Sequence, residues 1–321
     1  MRELSYPKNK INVLLLEKVD KVAFDLFKEE GYNVESLDGS LDEKDLIKKI
    51  KDVSILGIRS KTIISDKVIK SANKLLAIGA FCIGTNQIKF ESCNDSGIVI
   101  FNAPYSNTRS VVEIVIAQII NLMRKIVIKS NKMHSGVWRK DSLDSFEIRN
   151  KVIGIVGYGN IGSQLSVICE ALGMKVLYYD ILDKLSIGNA KKCKSLNELL
   201  KNSDIVSLHV DGKKSNTNLI SDKEFSIMKE KSILVNYSRG NVVDIDSLIK
   251  NIKSKKLMGA ALDVFPEEPS NNKEKFESKV KGIEEIILSP HIGGSTKEAQ
   301  KNIGSYVPDK IIDFINSGNT S

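Results

Sequence analysis

Short apolar runs alternate with amphipathic stretches along the first third of the chain. The runs are rich in β-branched residues and have the length of strands, whereas stretches such as LDEKDLIKKI place leucine and isoleucine at helical spacing. This alternation is typical of a parallel sheet whose strands are joined by crossover helices. The five predicted strands are INVLLLE (11–17), YNVESLD (32–38), VSILGIR (53–59), LLAIGAF (75–81) and GIVIFNAP (97–104).

A longer apolar stretch separates this series from a second one. Residues from Thr108 to about Lys132 contain VVEIVIAQIINLMRKIVI, which is apolar on nearly every face of one helical stretch. We therefore expect this segment to be buried between domains or subunits. Six further runs follow and predict a second parallel sheet. They are KVIGIVG (151–157), MKVLYYD (174–180), DIVSLHV (204–210), SILVNYS (232–238), LMGAALDVF (257–265) and EEIILSPHI (284–292).

The last helical stretch, STKEAQKNIGSYVPDKIIDFINSG, is not followed by a strand. We expect it to return to the first sheet, so that one domain consists of residues 1–107 and 293–321 and the other of residues 108–292. Pro308 predicts a kink or a break near Val307, because proline lacks the amide that a helix uses for hydrogen bonding. The expected fold class is α/β, with two doubly wound parallel-sheet domains.

The composition limits the class of protein. With 321 residues, of which 41% are apolar and 27% charged, the chain is expected to be globular with about two domains. It contains no apolar run of the roughly 18 residues that a membrane span needs, and its start, MRELSYPKNK, lacks a signal-peptide core. We therefore expect a cytoplasmic protein without a membrane partner.

Neither Cys-x-x-Cys pairing nor zinc-ligand spacing is present, which predicts reduced thiols and no metal. The cysteines are Cys82, Cys93, Cys169 and Cys193.

The net charge of +8 comes from lysines that are dispersed along the chain. With 6% aromatic residues and no recognisable nucleic-acid motif, this charge indicates a solvated surface rather than a nucleic-acid partner. Only seven of the 48 basic residues are arginines, the side chains that bind carboxylate or phosphate through a planar fork. The positions of these arginines are therefore informative about a small-molecule site.

A glycine pattern follows the first strand of the second series. Gly157, Gly159 and Gly162 form Gly-x-Gly-x-x-Gly between the strand KVIGIVG and a predicted helix, where the backbone can approach a pyrophosphate. The next strand ends in Asp180, at the spacing expected for an acid that accepts from the adenosine ribose. Because no arginine follows Asp180 closely, the sequence predicts NAD rather than NADP. The alternatives are a tight turn and an aspartate that only ends a strand.

Three polar side chains follow three later strands of the same series. Arg239, Glu268 and His291 would lie beyond the carboxyl ends of these strands, where such sheets bind ligands. Imidazole suits the base that removes a hydroxyl proton as hydride leaves a carbon. A carboxylate at the other ring nitrogen would favour the imidazolium, and an arginine would grip a substrate carboxylate. Taken singly, each residue has an alternative role. Arg239 could form a surface ion pair, Glu268 could be a charge on a loop, and His291 could be a core histidine whose hydrogen bonds are satisfied.

The two remaining histidines are weaker candidates. His134 lies in a polar stretch near a helix end and is expected to be solvated. His209 lies within a predicted strand and is expected to line the cofactor cleft or to pack.

The motifs GYGNIG with Asp180, NYSRGNVVD, LDVFPEEP and SPHIGGST together resemble the D-isomer-specific 2-hydroxyacid dehydrogenase family. In that family the Arg, Glu and His have the roles given above for Arg239, Glu268 and His291. The segments GIRSKT, IGAFCIGTNQI, IVIFNAPYSNTRSVVE and SFEIRNKVIGIVGYGNIG narrow the resemblance to the bacterial phosphoglycerate dehydrogenases of the family, over nearly the whole chain. This resemblance implies a flavodoxin-like substrate domain and a Rossmann NAD-binding domain, with the active site in the cleft between them.

The resemblance also implies individual contacts. The substrate would contact Arg59, Ser60 and Asn107, with a structural salt bridge as the alternative for Arg59. Besides the glycine motif and His291, the implied nucleotide contacts are Asn160, Ile161, Asp180, Tyr237, Ser238, Arg239, Asp263, Gly293 and Gly294. Asp263 would accept from the nicotinamide amide. Tyr237 departs from the family, which usually has a small residue there, and this puts the packing beside the cofactor in doubt.

A phosphorylated substrate would need further positive charge. GVWRK (136–140) offers Arg139 and Lys140, from the same or a neighbouring subunit of a homodimer or homotetramer, and the alternative is an exposed basic pair near a helix end. Relatives often carry a further serine-binding regulatory domain. Since nothing follows INSGNTS, we expect no serine feedback through such a domain.

The expected reaction is the NAD-dependent oxidation of 3-phospho-D-glycerate to 3-phosphohydroxypyruvate, the first step of serine biosynthesis. One alternative is another enzyme of the family, acting on hydroxypyruvate, glyoxylate or D-lactate. The other is an NAD-sensing binding protein without enzymatic activity.

Overall fold

The computed structural model describes residues 7–269 and 273–320. It divides into two compact units, one made of Met1–Asn107 and Ser295–Ser321 and the other of Thr108–Gly294. Each unit is built on its own parallel sheet.

The sheet of the first unit contains all five strands that the apolar runs predict. They are β1 (Asn12–Leu15), β2 (Asn33–Ser36), β3 (Ile55–Ile58), β4 (Ala77–Ala80) and β5 (Val99–Asn102). Every neighbouring pair is parallel and the order is β2-β1-β3-β4-β5. This is the flavodoxin-like order, in which the direction of winding switches between β1 and β3.

Helices cover both faces of this sheet. They are α1 (Lys21–Glu29), α2 (Glu43–Lys49), α3 (Asp66–Ser71) and α4 (Phe90–Asp95). Leu15 packs with Phe27 of α1, whereas the adjacent Leu14 packs with Leu46 of α2 and Val68 of α3. Successive strand residues point to opposite faces, so the continuous apolar run of β1 buries both.

The sheet of the second unit has seven strands. They are β6 (Val152–Val156), β7 (Lys175–Tyr179), β8 (Lys191–Lys192), β9 (Ile205–Leu208), β10 (Ser232–Asn236), β11 (Leu257–Leu262) and β12 (Ile286–Leu288). All pairs are parallel in the order β12-β11-β10-β9-β6-β7-β8, which contains the Rossmann arrangement with its switch point between β6 and β9. The six predicted strands are present. The two-residue β8 is too short to give a sequence pattern.

The described residues of the second unit form six α-helices. They are α5 (Thr108–Arg124), α6 (Ile126–His134), α7 (Asn160–Ala171), α8 (Leu196–Asn202), α9 (Asp222–Ile227) and α10 (Ile245–Lys253). Helices α5 and α7 pack on one face, and α8, α9 and α10 on the other. The expectation of one helical stretch after Thr108 is wrong, because Lys125 adopts a left-handed conformation (φ 54°) and separates α5 from α6. Buried residues such as Val112 and Ile119 bind α5 to its own sheet, whereas no residue of α6 is buried.

The last helix, α11 (Lys297–Ser317), returns to the first unit, where Val307 and Ile311 join the cluster of α1. It lies against β4 at Gly79, where a Cβ atom would be only 2.7 Å from Val307. Of the kink or break predicted near Val307, the break is wrong, since the helix continues through Pro308. Burial of Val307, Pro308 and Ile311 offsets the missing amide hydrogen bond.

Across the described residues, none of the helices has the length and apolar character that a bilayer span requires. The same ranges hold no group of three or more His, Cys, Asp or Glu side chains placed to bind a metal ion. The four cysteines are free thiols.

Candidate active site

The glycine turn after β6 needs its three glycines for three different reasons. Gly157 has a φ of +93°, and a Cβ atom there would lie 2.4 Å from the carbonyl oxygen of His209. A Cβ atom on Gly162 would lie 2.2 Å from the Gly157 carbonyl oxygen, so this glycine permits close packing of helix on turn. A Cβ atom on Gly159 would meet nothing within 4 Å. Of the three glycines, Gly159 is therefore the one that borders open space, where a ligand can approach the backbone.

The start of α7 fits a dinucleotide phosphate. Its N-cap is Gly159, and among the described residues no side chain accepts a hydrogen bond from the amides of the first turn. That turn contains Asn160 and Ile161, and the partial positive charge of a helix N-terminus attracts phosphate. Open space above uncapped amides is the arrangement that a pyrophosphate requires.

Asp180 lies just beyond β7 and is fixed by two main-chain amides. Its Oδ2 accepts from the amide of Tyr158 at 2.7 Å, and its Oδ1 accepts from the amide of Leu182 at 2.8 Å. Tyr158 is part of the glycine turn, so the carboxylate is held directly beside it. Each carboxylate oxygen keeps a lone pair for a ribose hydroxyl.

A hydrogen-bonded loop follows β10. The side-chain oxygen of Asn236 accepts from both the amide and the hydroxyl of Ser238, at 3.1 and 2.7 Å, and its Nδ2 donates to the carbonyl of Arg239. The guanidinium of Arg239 donates to the Ser238 carbonyl at 2.7 Å. This network fixes the backbone from which the arginine side chain projects.

Tyr237, the departure from the family pattern, packs inside the second unit. Only 6% of the residue is exposed, and its hydroxyl lies 2.9 Å from Oγ of Ser289. Burial raises the pKa of Tyr237 to about 12, so the phenol stays protonated. Its ring is part of the apolar cluster of α5 and does not titrate near neutral pH.

Glu268 and His291 form a close pair. Nδ1 of His291 lies 2.7 Å from Oε2 of Glu268, and Oε1 of the same carboxylate accepts from the Phe265 amide at 3.1 Å. The hydrogen bond with Glu268 raises the pKa of His291 above its ordinary 6.5, against the lowering effects of burial and of Arg239. Burial alone would raise the pKa of Glu268, but the bond to His291, its charge and Arg239 hold it below 4.5. The three predicted side chains thus act on one another electrostatically.

Asp263 anchors the segment that carries His291. It is 2% exposed, and its carboxylate accepts from the amides of Ile292 (3.0 Å) and Gly293 (2.7 Å) and from the hydroxyl of Ser289 (2.5 Å). Its carbonyl accepts from the His291 amide at 2.8 Å. These bonds hold His291 at a φ of 53°, which is uncommon for a residue other than glycine. Gly294 follows directly in the sequence.

The other two histidines differ from His291. Burial lowers the pKa of His209 to about 4, and its Nε2 lies 2.8 Å from Oγ of Ser207, so this ring is neutral and packed. His134 is exposed at the end of α6. Of the three imidazoles, only that of His291 pairs with a carboxylate among the described residues.

The predicted substrate residues Arg59 and Ser60 directly follow β3 in the first unit, and Asn107 ends the first segment of that unit. Oδ1 of Asn107 is buried without a hydrogen-bond partner in the described part of the chain. Arg59 lines a cavity of about 440 Å³ together with Lys18, Lys21 and Gln300. Lys18 lies just before α1, Lys21 begins it, and Gln300 lies in α11. Because the three residues are far from Arg59 in the sequence, no sequence pattern relates them to it.

The basic pair of the GVWRK segment is exposed in the second unit. Nε of Arg139 lies 2.6 Å from Oδ2 of Asp141, while Lys140 is exposed beside it. The structure brings neither residue into the network of Arg239, Glu268 and His291.

The chain is similar to known proteins in sequence and in fold. The profile described as D-isomer specific 2-hydroxyacid dehydrogenase, NAD binding domain, matches residues 116–293. The chain is 50% identical to a D-3-phosphoglycerate dehydrogenase of Dictyostelium discoideum over 98% of its own length and 77% of the relative. It is 47% identical to that of Escherichia coli K12, over 100% and 78% of the two chains. The crystal structure of D-lactate dehydrogenase with NAD+ from Lactobacillus jensenii superimposes with a TM-score of 0.80 at 28% identity, covering 95% of this chain and 97% of that one.

Proposed function

This chain belongs to the D-isomer-specific 2-hydroxyacid dehydrogenase family, and we propose that it oxidises 3-phospho-D-glycerate to 3-phosphohydroxypyruvate with NAD. The observation that carries the proposal is the 2.7 Å pair of Glu268 and His291, in the same unit as a glycine turn with an open phosphate site. The relatives at 47–50% identity are D-3-phosphoglycerate dehydrogenases, which supports the choice of substrate. The product would enter serine biosynthesis.

His291 is proposed as the catalytic base. Because Nδ1 is engaged by Glu268, Nε2 is the ring atom that takes the proton of the substrate hydroxyl. Glu268 then stabilises the imidazolium. The nicotinamide of bound NAD supplies the acceptor for the hydride that leaves C2. In the reverse direction, the imidazolium returns the proton to the oxygen.

The remaining residues are assigned by their positions. Arg239 would hold the substrate carboxylate and polarise the C2 oxygen, and the first unit would supply Arg59, Ser60 and Asn107 for substrate binding. The second unit would bind NAD, with Asp180 on the ribose. The proposed NAD contacts are Gly157, Gly159, Asn160, Ile161, Gly162, Asp180, Tyr237, Ser238, Arg239, Asp263, His291, Gly293 and Gly294. Asp263 would also have a structural role, because its carboxylate accepts three hydrogen bonds from within the protein.

We also propose a homodimer or homotetramer. Apolar side chains between residues 126 and 143 of the second unit are exposed, including Trp138 (77%), Leu143 (62%) and Met133 (55%), and such a concentration marks an association surface. Arg139 and Lys140 lie in the same segment and would then meet the substrate phosphate of a neighbouring copy. Light scattering of the purified protein tests the assembly, and a monomer at micromolar concentration would contradict it.

The experiment that tests the proposed function is a substrate panel run in both directions. We expect kcat/KM for 3-phospho-D-glycerate to exceed that for D-glycerate and D-lactate, and 3-phosphohydroxypyruvate to be the best substrate with NADH. His291→Ala should lower kcat by about 100-fold or more, as loss of a general base does. Preference for an unphosphorylated acid would assign another activity of the family. NAD binding without turnover of any 2-hydroxy acid would favour an NAD-sensing protein.

A further inference from the structure

Glu17 occupies the position where the winding of the first sheet reverses. It follows β1, and the next strand in the sheet on that side is β3, so the carboxyl ends of both strands flank the switch point at which such sheets bind ligands. Only 7% of Glu17 is exposed. A buried carboxylate at this place needs an explanation, since glutamate is rarely buried unless its charge is compensated.

Both oxygens of this carboxylate accept hydrogen bonds from the segment after β3. Oε2 accepts from the amide of Lys61 at 3.0 Å, and Oε1 accepts from the amide of Thr62 at 2.8 Å. The side chain therefore binds two consecutive main-chain amides across the switch point. Hydrogen bonds to a charged acceptor are stronger than neutral ones, which makes this a firm clamp on the segment Arg59–Thr62.

The backbone at Glu17 indicates that its side chain matters. Glu17 has a φ of 64° and Lys18 a φ of 53°, so two consecutive residues other than glycine adopt the left-handed conformation. The amide of Glu17 donates to the carbonyl of Gly39 at 3.0 Å, which fixes this turn. Glycine would adopt this backbone with less strain. A glutamate here is best explained by the two amides that its carboxylate holds.

The clamped segment carries Arg59 and Ser60. On its other side, Nε2 of Gln87 donates to the carbonyl of Arg59 at 2.6 Å, so main-chain groups on both sides of Ser60 are fixed. Arg59 and Lys18 line the same cavity of about 440 Å³. Glu17 thus connects the segments after β1 and β3, each of which contributes a residue to this cavity.

We propose that Glu17 is a positioning residue that fixes the backbone of Arg59 and Ser60 for binding of the phosphorylated hydroxy acid. The inference rests on the proposed function, because it assumes that these two residues contact the substrate. Glu17 acts through the amides of Lys61 and Thr62 and touches neither substrate nor cofactor.

Two substitutions test this role. Glu17→Gln keeps the shape of the side chain but directs an amide donor at one of the two main-chain amides, so one hydrogen bond is replaced by a repulsive contact. Glu17→Gly removes the clamp and relieves the left-handed backbone, so the variant should fold. Glu35→Gln is the matched control, because Glu35 is an exposed carboxylate on β2 of the same unit, paired with Lys49.

We expect both Glu17 variants to raise KM for 3-phospho-D-glycerate by about tenfold or more, the effect of losing a hydrogen bond to a charged group, with a smaller change in kcat. The dissociation constant for NADH, measured by fluorescence titration, should stay unchanged because the cofactor site belongs to the second unit. Hydrogen exchange of the peptide spanning residues 58–64 should become faster in both variants but not in Glu35→Gln.

An unchanged KM, or unchanged exchange in the 58–64 peptide, would overturn the positioning role. A parallel loss of kcat, NADH affinity and thermal stability in both variants would also overturn it, because that result indicates a general structural role. Wild-type activity is measured first. Its absence with 3-phospho-D-glycerate would contradict the proposed function, whereas the hydrogen-exchange comparison needs no substrate and still decides whether the clamp exists.

Discussion

Nδ1 of His291 lies 2.7 Å from Oε2 of Glu268, while the main chain of the same histidine donates to the carbonyl of Asp263. The first contact fixes the tautomer and the charge of the ring, and the second fixes the place from which the ring projects. Together they leave Nε2 as the ring atom available for proton exchange.

The pH dependence of hydroxy-acid oxidation should depend on Glu268. With the neutral imidazole as the proposed base, the rate should fall as pH falls through the pKa of His291, which the bond with Glu268 raises above 6.5. Glu268→Gln removes that cause and leaves the lowering effects of burial and Arg239. We expect the acidic limb of the kcat/KM profile to move to lower pH. Glu267→Gln, at the exposed neighbouring position, should not move it, and an unmoved limb in both variants would contradict the assignment.

The same pair should contribute to stability within a defined pH range. The raised pKa of His291 gives stability that is present below about pH 6.5 and is lost as pH rises through the folded value. The lowered pKa of Glu268 gives stability that is present above about pH 4.5 and is lost as pH falls through its folded value. The difference in Tm between the wild type and Glu268→Gln should therefore be largest between these limits. A difference that grows towards pH 9 would show the opposite sign of coupling.

Arg239→Lys should separate charge from geometry. Lysine keeps the positive charge but loses the planar fork that matches a carboxylate. We expect a rise in KM and a fall in kcat that together lower kcat/KM by roughly 100-fold, about the 3 kcal/mol of a charged hydrogen-bonded contact. Arg149→Lys is the control, since Arg149 is exposed in the same unit and pairs with Glu147. Full activity of Arg239→Lys would show that charge alone suffices.

Asp180→Ala should weaken the preference for NAD over NADP. In the proposed site the carboxylate would accept from the ribose hydroxyls and repel a 2′-phosphate, so its loss should lower kcat/KM with NAD and remove a barrier to NADP. Steady-state kinetics with both cofactors measure the ratio. Asp183→Ala provides the comparison, because Asp183 is an exposed carboxylate three residues away that pairs with Lys192. An unaltered ratio in Asp180→Ala would remove this residue from the ribose site.

Two alanine substitutions in the glycine turn should have separate effects. Gly159→Ala adds a methyl group to open space, so we expect an unchanged Tm and weaker NADH binding. Gly162→Ala places the methyl group 2.2 Å from the Gly157 carbonyl, which should destabilise the fold by about 1–3 kcal/mol, the usual effect of overpacking. Thermal unfolding and NADH titration of both variants distinguish the two effects. Equal losses of stability would contradict the assigned difference.

Sequence patterns predicted every described strand except β8, and they located the glycine turn of the second unit. The strands are apolar runs, because parallel strands are buried on both faces, and such runs are visible without a structure. The glycine turn was equally visible, since positive φ and close packing permit no other residue at Gly157 and Gly162. The break at Lys125 was not predicted, because nothing in the apolar pattern marks a single left-handed lysine.

The sequence by itself determined nearly all of the strands, the glycine turn and the family of the chain, because these depend on local periodicity and on motifs of adjacent residues. Only the tertiary structure decided which distant groups meet. Glu17 is 44 positions before Lys61, and Asp263 is 30 positions before Gly293, so no local pattern relates them. Each of these pairs follows two strands that are neighbours in a sheet, β1 and β3 or β11 and β12, and this strand order brings the residues together.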